Sequence, residues 1–184
     1  MIFEETPLPG VFLIGLERHE DARGWFARTY CEREFAEHGL VAHYVQVSAS
    51  SNVARHTLRG LHYQMPPASE TKLVRCVRGA LWDVVLDLRL DSPTFGRHFG
   101  AELSHGNGRM MYVPKQCAHG FLTLEPDTEL LYLVDAFHAP EQERGVRWND
   151  PHFAISWPAA PAIVTPRDRE QRDFDPAWHL VAPG

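Results

Sequence analysis

The stretch Arg59–Arg89, RGLHYQMPPASETKLVRCVRGALWDVVLDLR, decides the fold. Three runs rich in Leu, Val, Tyr and Trp lie in it, LRGLHYQ (58–64), TKLVRCVRG (71–79) and ALWDVVLDLRL (80–90), separated by Pro-Pro or closed by Gly. Runs of this length and composition between turn residues read as β-strands. Alternation then assigns faces, because successive side chains of a strand point to opposite sides. His62 and Gln64 share a face, opposite Leu61 and Tyr63. Lys72 shares one with Val74 and Cys76, and Asp83 shares one with Val85 and Asp87, opposite Trp82, Val84 and Leu86. A histidine, a lysine and an aspartate thus sit on faces otherwise filled by apolar residues.

The same signal recurs outward from this stretch. GVFLIGL (10–16), HYVQVSAS (43–50), HFGAELS (98–104), RMMYVP (109–114), HGFLTLE (119–125) and ELLYLVDAF (129–137) read as further strands. Leu130, Tyr132 and Val134 share a face of the last. With 14 prolines and 13 glycines punctuating the chain, many short strands predict an all-β sandwich or barrel. Only CEREFAEHG (31–39) reads clearly as a helix, with Gly39 as its cap, and RDREQRDF (167–174) suggests another turn or two. No repeat, linker or low-complexity segment interrupts residues 1–184, so a single domain is expected.

Composition excludes several classes. A chain of 184 residues, 44% hydrophobic and 11% aromatic, has the material for a folded core. A net charge of −6 and the lack of a basic stripe argue against nucleic-acid binding. Local arginines such as Arg55, Arg59, Arg75 and Arg78 still allow a small anionic ligand. The N-terminal MIFEETPLPG has neither the basic nor the apolar region of a secretory leader, and no run approaches the about 18 apolar residues of a membrane span. Cys31, Cys76 and Cys117, odd in number and without CxxC spacing, read as reduced thiols of a cytoplasmic protein.

If the inward faces line one interior, His62, Lys72, Asp83 and Tyr132 converge in a pocket with aliphatic walls. Histidine suits proton transfer near neutrality, a lysine cation stabilises a developing oxyanion, and a tyrosine delivers a proton from a second direction. Those are the parts needed to remove a proton next to a carbonyl and return it on the other face. Two other readings stay open on spacing alone. A metal barrel is one, although Gln64 stands where a second histidine ligand is wanted and His119 alone does not complete a set. A core histidine with ordinary surface charges is the other.

The blocks TLRGLHYQMPP, KLVRCVRGALWDVVLDLRLDSPTFG, YVPKQCAHGFLTLE and GVRWNDPHFAISWP, with EDARGWF before them and TPRDRE after, closely resemble the dTDP-4-dehydrorhamnose 3,5-epimerase family of the cupin superfamily. The resemblance runs from about residue 3 to 176. It implies a cupin jelly-roll barrel with a few short peripheral helices, a homodimer, and no metal or other cofactor. The implied activity is epimerisation at C3, C5 or both of a nucleotide-linked 4-keto-6-deoxyhexose, in the first instance dTDP-4-dehydro-6-deoxyglucose, in deoxysugar biosynthesis.

The resemblance also implies roles. His62 is the base and Asp168 its acidic partner. Lys72 holds the enolate oxygen, Asp83 keeps that lysine charged, and Tyr132 is the acid on the opposite face. Arg59 and His119 grip the diphosphate with help from Arg23. Phe26 and Gln46 contact the nucleobase, some of these groups reaching across the dimer. A 3-only or 5-only epimerase acting on a different nucleotide-linked 4-keto sugar, a metal-dependent cupin and a non-catalytic sugar-nucleotide binder remain as alternatives.

This chain departs from the family pattern at four places. Arg28 replaces an acidic residue in the block after Arg23-Gly24, which bears on the nucleobase. The segment after Gln46 is one residue longer and lacks an asparagine. His138 stands six residues after Tyr132, where many members carry a second tyrosine. Gln116 and Cys117 replace Gly-Phe in a loop expected near the diphosphate.

Overall fold

The computed structural model describes residues 1–180 as two β-sheets facing each other, with three short helices and a small hairpin outside them. The first sheet runs, in spatial order, β1 (Ile2–Glu5), β2 (Phe12–Gly15), β10 (Met110–Val113), β7 (Lys72–Arg78), β12 (Thr128–Val134) and β5 (Gln46–Asn52). The second runs β13 (Glu143–Gly145), β6 (Thr57–Gln64), β11 (Cys117–Thr123), β8 (Ala80–Asp87) and β9 (His98–Ser104). Pairing within both is antiparallel, except that the two-residue β14 (Ile163–Val164) lies parallel to β6. The third unit is the hairpin of β3 (His19–Asp21) and β4 (Gly24–Phe26). Sequential strands swap sheets, β6 to β7 and β11 to β12, as in a jelly roll.

Alternation fills three layers. Val74, Cys76, Met111 and Leu130 of the first sheet pack against Leu81, Val85, Leu103 and Phe121 of the second, forming the inter-sheet core. The opposite faces are covered as well. Ile14, Leu73 and Met110 meet Phe35 of helix α1 (Glu32–Glu37), and Leu61, Tyr63, Val84 and Leu86 meet Phe153, Ile155 and Phe174 of the C-terminal segment. A strand covered on both faces loses the polar half of its alternation, which is why β8 reads as a nearly continuous apolar run with Asp83 and Asp87 as its exceptions.

The expected strand 98–104 coincides with β9, and the other eight expected strands overlap observed ones with ends shifted by up to three residues. The strands β1, β3, β4, β13 and β14 were not expected; each has four residues or fewer, too short for a period to register. The segment 167–174 does not form the expected turns of helix. Its first three residues close α2 (Pro166–Arg169), and the next helix, α3 (Pro176–His179), starts beyond it. In both, proline follows a capping residue, Thr165 or Asp175, whose side chain accepts a backbone N–H. No helix among the described residues is long and apolar enough to cross a membrane. The three cysteines are free, with Cys76 and Cys117 buried.

Candidate active site

At one end of the space between the sheets lies an open cavity of about 600 Å³. Lys72 of β7, Tyr132 of β12, and Gln46, Ser48 and Ser50 of β5 enter from the first sheet. Arg59 and His62 of β6 and His119 of β11 enter from the second, while His138, Glu143 and Arg167 stand at the rim.

Arg59 and His62 share this cavity although their separation of three should place them on opposite faces. His119 pairs with His62 and Phe121 with Arg59, so two residues of β11 span three of β6. This extra residue resets the alternation and turns both side chains inward. Glycine permits it. Gly60 has φ of +114°, and a Cβ there would lie 2.6 Å from the Cα of Gly120 on the neighbouring strand.

His62 is held by Asp168. Its Nε2 lies 2.6 Å from Asp168 Oδ1, and Asp168, almost fully buried on α2, also receives the Gly60 N–H at 3.4 Å through Oδ2. Burial opposes ionisation of Asp168. The hydrogen bond and charge of His62, the Gly60 N–H and the Thr165 contact outweigh it, and the carboxyl is held below the usual range. An ionised carboxylate only accepts, so Nε2 carries the proton and Nδ1 is the nitrogen left with a lone pair.

Across the cavity, Lys72 Nζ donates to the His62 backbone oxygen at 3.0 Å and pairs with Glu70 Oε1 at 3.1 Å. The expected partner of Lys72, Asp83, is engaged elsewhere. Asp83 sits on β8 in the facing sheet, fully buried, and its Oδ1 accepts from His119 Nε2 at 2.8 Å. Both belong to the second sheet, where Asp83 and Val85 oppose Phe121 and His119, so Asp83 reaches the imidazole and not the lysine. The counter-ion of Lys72 is therefore Glu70. His119, expected to grip the diphosphate, is buried in the cavity wall, edge-on to Tyr132 with centroids 6.3 Å apart. Burial raises the Tyr132 phenol above its ordinary range.

Arg59 lies at the open side, its Nε donating to Asn52 Oδ1 at 2.8 Å while the guanidinium stays exposed. Gln46 and His138 meet at the rim, where Gln46 Oε1 accepts the His138 backbone N–H at 2.9 Å. Arg23, Phe26 and Arg28 are not brought to this cavity. Arg23 and Phe26 belong to the exposed β3–β4 hairpin, Arg23 paired with Asp21, and Arg28 is paired with Glu34 at 2.7 Å. Gln116 and Cys117 do not line it either. Cys117 packs into the inter-sheet core, and Gln116 adopts φ of +61°, a conformation for which glycine is better suited.

The sequence reading missed Ser48 and Ser50 and, among the charged and amide side chains of the cavity, four: Gln64 as an anchor, Glu70, Glu143 and Arg167. Glu143 pairs with Arg167 at 2.5 Å and lies 3.9 Å from His138. Two of the four had a local signal. Glu70 precedes Lys72 by two, the same-face spacing of a strand, and Arg167 adjoins Asp168. Among the described residues no group of three or more His, Cys, Asp and Glu side chains is arranged to hold a metal ion.

The family model for dTDP-4-dehydrorhamnose 3,5-epimerase matches residues 5–175. The chain belongs to that family. The epimerase of this name from Pseudomonas aeruginosa is 43% identical over 169 residues, covering 91% of this chain and 92% of that one. The crystal structure of the Bacillus anthracis dTDP-4-dehydrorhamnose 3,5-epimerase with TDP and PPi bound superposes with a TM-score of 0.91 at 38% identity, covering 94% of this chain and 99% of its own. A 3'-monoepimerase from Streptomyces bikiniensis in complex with dTDP-quinovose gives 0.84 at 30% identity, over 91% and 85%. The fold is accordingly the cupin-like jelly roll of the dTDP-4-dehydrorhamnose 3,5-epimerases, and the protein is an epimerase of deoxysugar biosynthesis.

Proposed function

We propose that this protein inverts C3, C5 or both of dTDP-4-dehydro-6-deoxyglucose through the cavity between its two sheets. The observation that carries the reading is that His62 and Tyr132 rise from opposite sheets into one cavity, with His62 tied to a carboxylate.

In this mechanism His62 Nδ1 takes the proton from the carbon beside the C4 ketone. The electron pair of that C–H bond moves into the ring and onto the carbonyl oxygen, giving an enolate. The imidazolium is stabilised by Asp168, and the enolate oxygen by the Lys72 ammonium. Tyr132 O–H returns a proton to the carbon from the opposite side, leaving the inverted centre, and exchange with solvent resets both side chains. Removal of one oxyanion donor in such sites costs on the order of 10²–10³ in rate, so Lys72 carries several kcal/mol of the transition-state stabilisation. Arg59, with its planar donors at the open side, suits the diphosphate.

We also infer a single catalytic domain, a cytoplasmic setting and a homodimer in which the exposed hairpin carrying Arg23 and Phe26, together with Arg28, reaches a neighbouring cavity. The exposure of Phe26 at 75% on the hairpin and of Val47 at 66% on the edge strand β5 supports surfaces covered by a second subunit. The test of the activity is NMR of dTDP-4-dehydro-6-deoxyglucose in D2O with the enzyme. Deuterium entering C3, C5 or both names each carbon that gives up a proton, and the configuration of the product at that carbon shows whether it is inverted. No exchange at either would overturn the thymidine-linked reading, and GDP- and CDP-linked 4-keto sugars are the next substrates. Exchange with inversion at one carbon alone would make the protein a monoepimerase, the activity named for the Streptomyces bikiniensis relative.

A further inference from the structure

We propose that Glu70 is the positioning residue that governs the charge and aim of Lys72. This deepens the proposed function and rests on its assignment of Lys72 to the enolate oxygen.

Glu70 lies next to last in the loop between β6 and β7 and lines the cavity with a side chain only 12% exposed, the same as Lys72. Its two oxygens have different partners. Oε1 lies 3.1 Å from Lys72 Nζ, and Oε2 accepts from Gln64 Nε2 at 3.1 Å. Gln64 is buried and anchored in turn, donating to Ala68 O at 2.9 Å and accepting the Ala139 N–H at 2.6 Å. The carboxylate is thus fixed by a rigid amide on β6, and the lysine is fixed by the carboxylate and by the His62 oxygen. Two of the three ammonium protons are spoken for, and the third is left for a ligand oxygen.

A carboxylate in contact with an ammonium in a poorly solvated wall favours the charged form of both. It also pulls the ammonium back. Without the Glu70 carboxylate, the direction of Lys72 is set by the His62 carbonyl alone. Other groups titrate in this cavity, which obscures any reading from a rate profile by itself. They are Tyr132 beside Lys72 on β12, His62 and His119 on the facing sheet, Asp168 on α2, and Glu143 and His138 at the rim, with Arg59 and Arg167 as fixed cations. The readout must come from the lysine.

The sequence makes that possible, because Lys72 and Lys115 are its only lysines. Protein carrying 13Cε-labelled lysine gives two resonances to follow against pH, assigned with Lys72→Met, and Lys115, paired with Asp135 at 3.1 Å, serves as the internal control. In Glu70→Gln, which preserves shape but keeps only one of the two accepting oxygens, the Lys72 transition is expected to move from its place in the parent, with Lys115 unmoved. The turnover kcat is expected to drop about tenfold with KM within about threefold, and Glu70→Asp to restore part of it. An unchanged Lys72 transition in Glu70→Gln overturns the proposal, even if kcat falls. Full activity in Lys72→Met would instead sink the Lys72 assignment, while the titration still decides whether Glu70 governs the lysine.

Discussion

His62 and Asp168, 106 residues apart in the chain, meet at 2.6 Å through Nε2 and Oδ1. The aspartate comes from a single turn of helix started by Thr165 and Pro166, and its other oxygen faces the backbone of Gly60. Removing only its charge tests what it does. Asp168→Asn should leave the fold intact, because an amide still fills the site, but it no longer enforces the Nε2–H form of His62. We expect solvent exchange at the substrate to fall on the order of 10²–10⁴-fold, the scale of a general base, measured by deuterium wash-in. Rates within a few-fold of the parent would rule out the His62–Asp168 pair as the base.

Tyr132 and His62 approach from opposite sheets, so their variants should separate two steps. Tyr132→Phe is expected to keep deuterium wash-in with retained configuration, because His62 still takes and returns a proton. Inverted product should fall about 10²-fold or more. Parallel NMR of exchange and product formation decides it, and equal loss of both would argue against Tyr132 as the opposite-face acid.

Gly60→Ala should damage stability before chemistry. The new Cβ would lie 2.6 Å from Gly120 Cα and 2.8 Å from His119 O, both backbone, at a φ of +114°. A cost of about 3 kcal/mol, or roughly 6–12 °C in Tm, is expected by thermal unfolding. Arg59 and His62 cease to share a face if the strand relaxes, so activity of the folded fraction should fall as well.

Asp87 sets an acid limit. Burial works against its charge, but hydrogen bonds from Arg89, Ser92 and Thr94 overcome it and lower the carboxyl to about 2. A depressed folded value means stability that is present above the ordinary carboxylate range and is lost as pH falls from about 4 toward 2. About 2 kcal/mol is expected from this group. Urea unfolding of the parent and of Asp87→Asn should differ by that amount at pH 7 and converge near pH 2.

The proposed exchange of the β3–β4 hairpin between subunits predicts complementation. His62→Ala and Arg23→Ala proteins, each impaired alone, should form mixed dimers with one intact cavity when unfolded and refolded together. Activity of about a quarter of the parent is expected for random pairing. No recovery in a mixture that sedimentation shows to be dimeric would place Arg23 outside the neighbour's site.

Much of the architecture was legible because alternation is local. The inward set Val74, Cys76, Val85 and Leu130 and the outward set Trp82, Val84 and Leu86 both follow from a period of two. The short strands were invisible for the same reason, since three or four residues hold no period. Helix α1 was legible from its charged residues around Phe35 and its closing Gly39.

Site partners were less so. The sequence by itself determined the longer strands, the inward aim of His62, Lys72 and Tyr132, and, through ordered blocks, the family. Only the tertiary structure decided who meets whom. It gave Lys72 to Glu70 and Asp83 to His119, turned Arg59 onto the face of His62 through a bulge at Gly60, and left Arg23, Phe26 and Arg28 outside the cavity. The reason is physical: strand period is a property of neighbours along one chain segment, whereas an ion pair depends on sheet order and register between segments far apart.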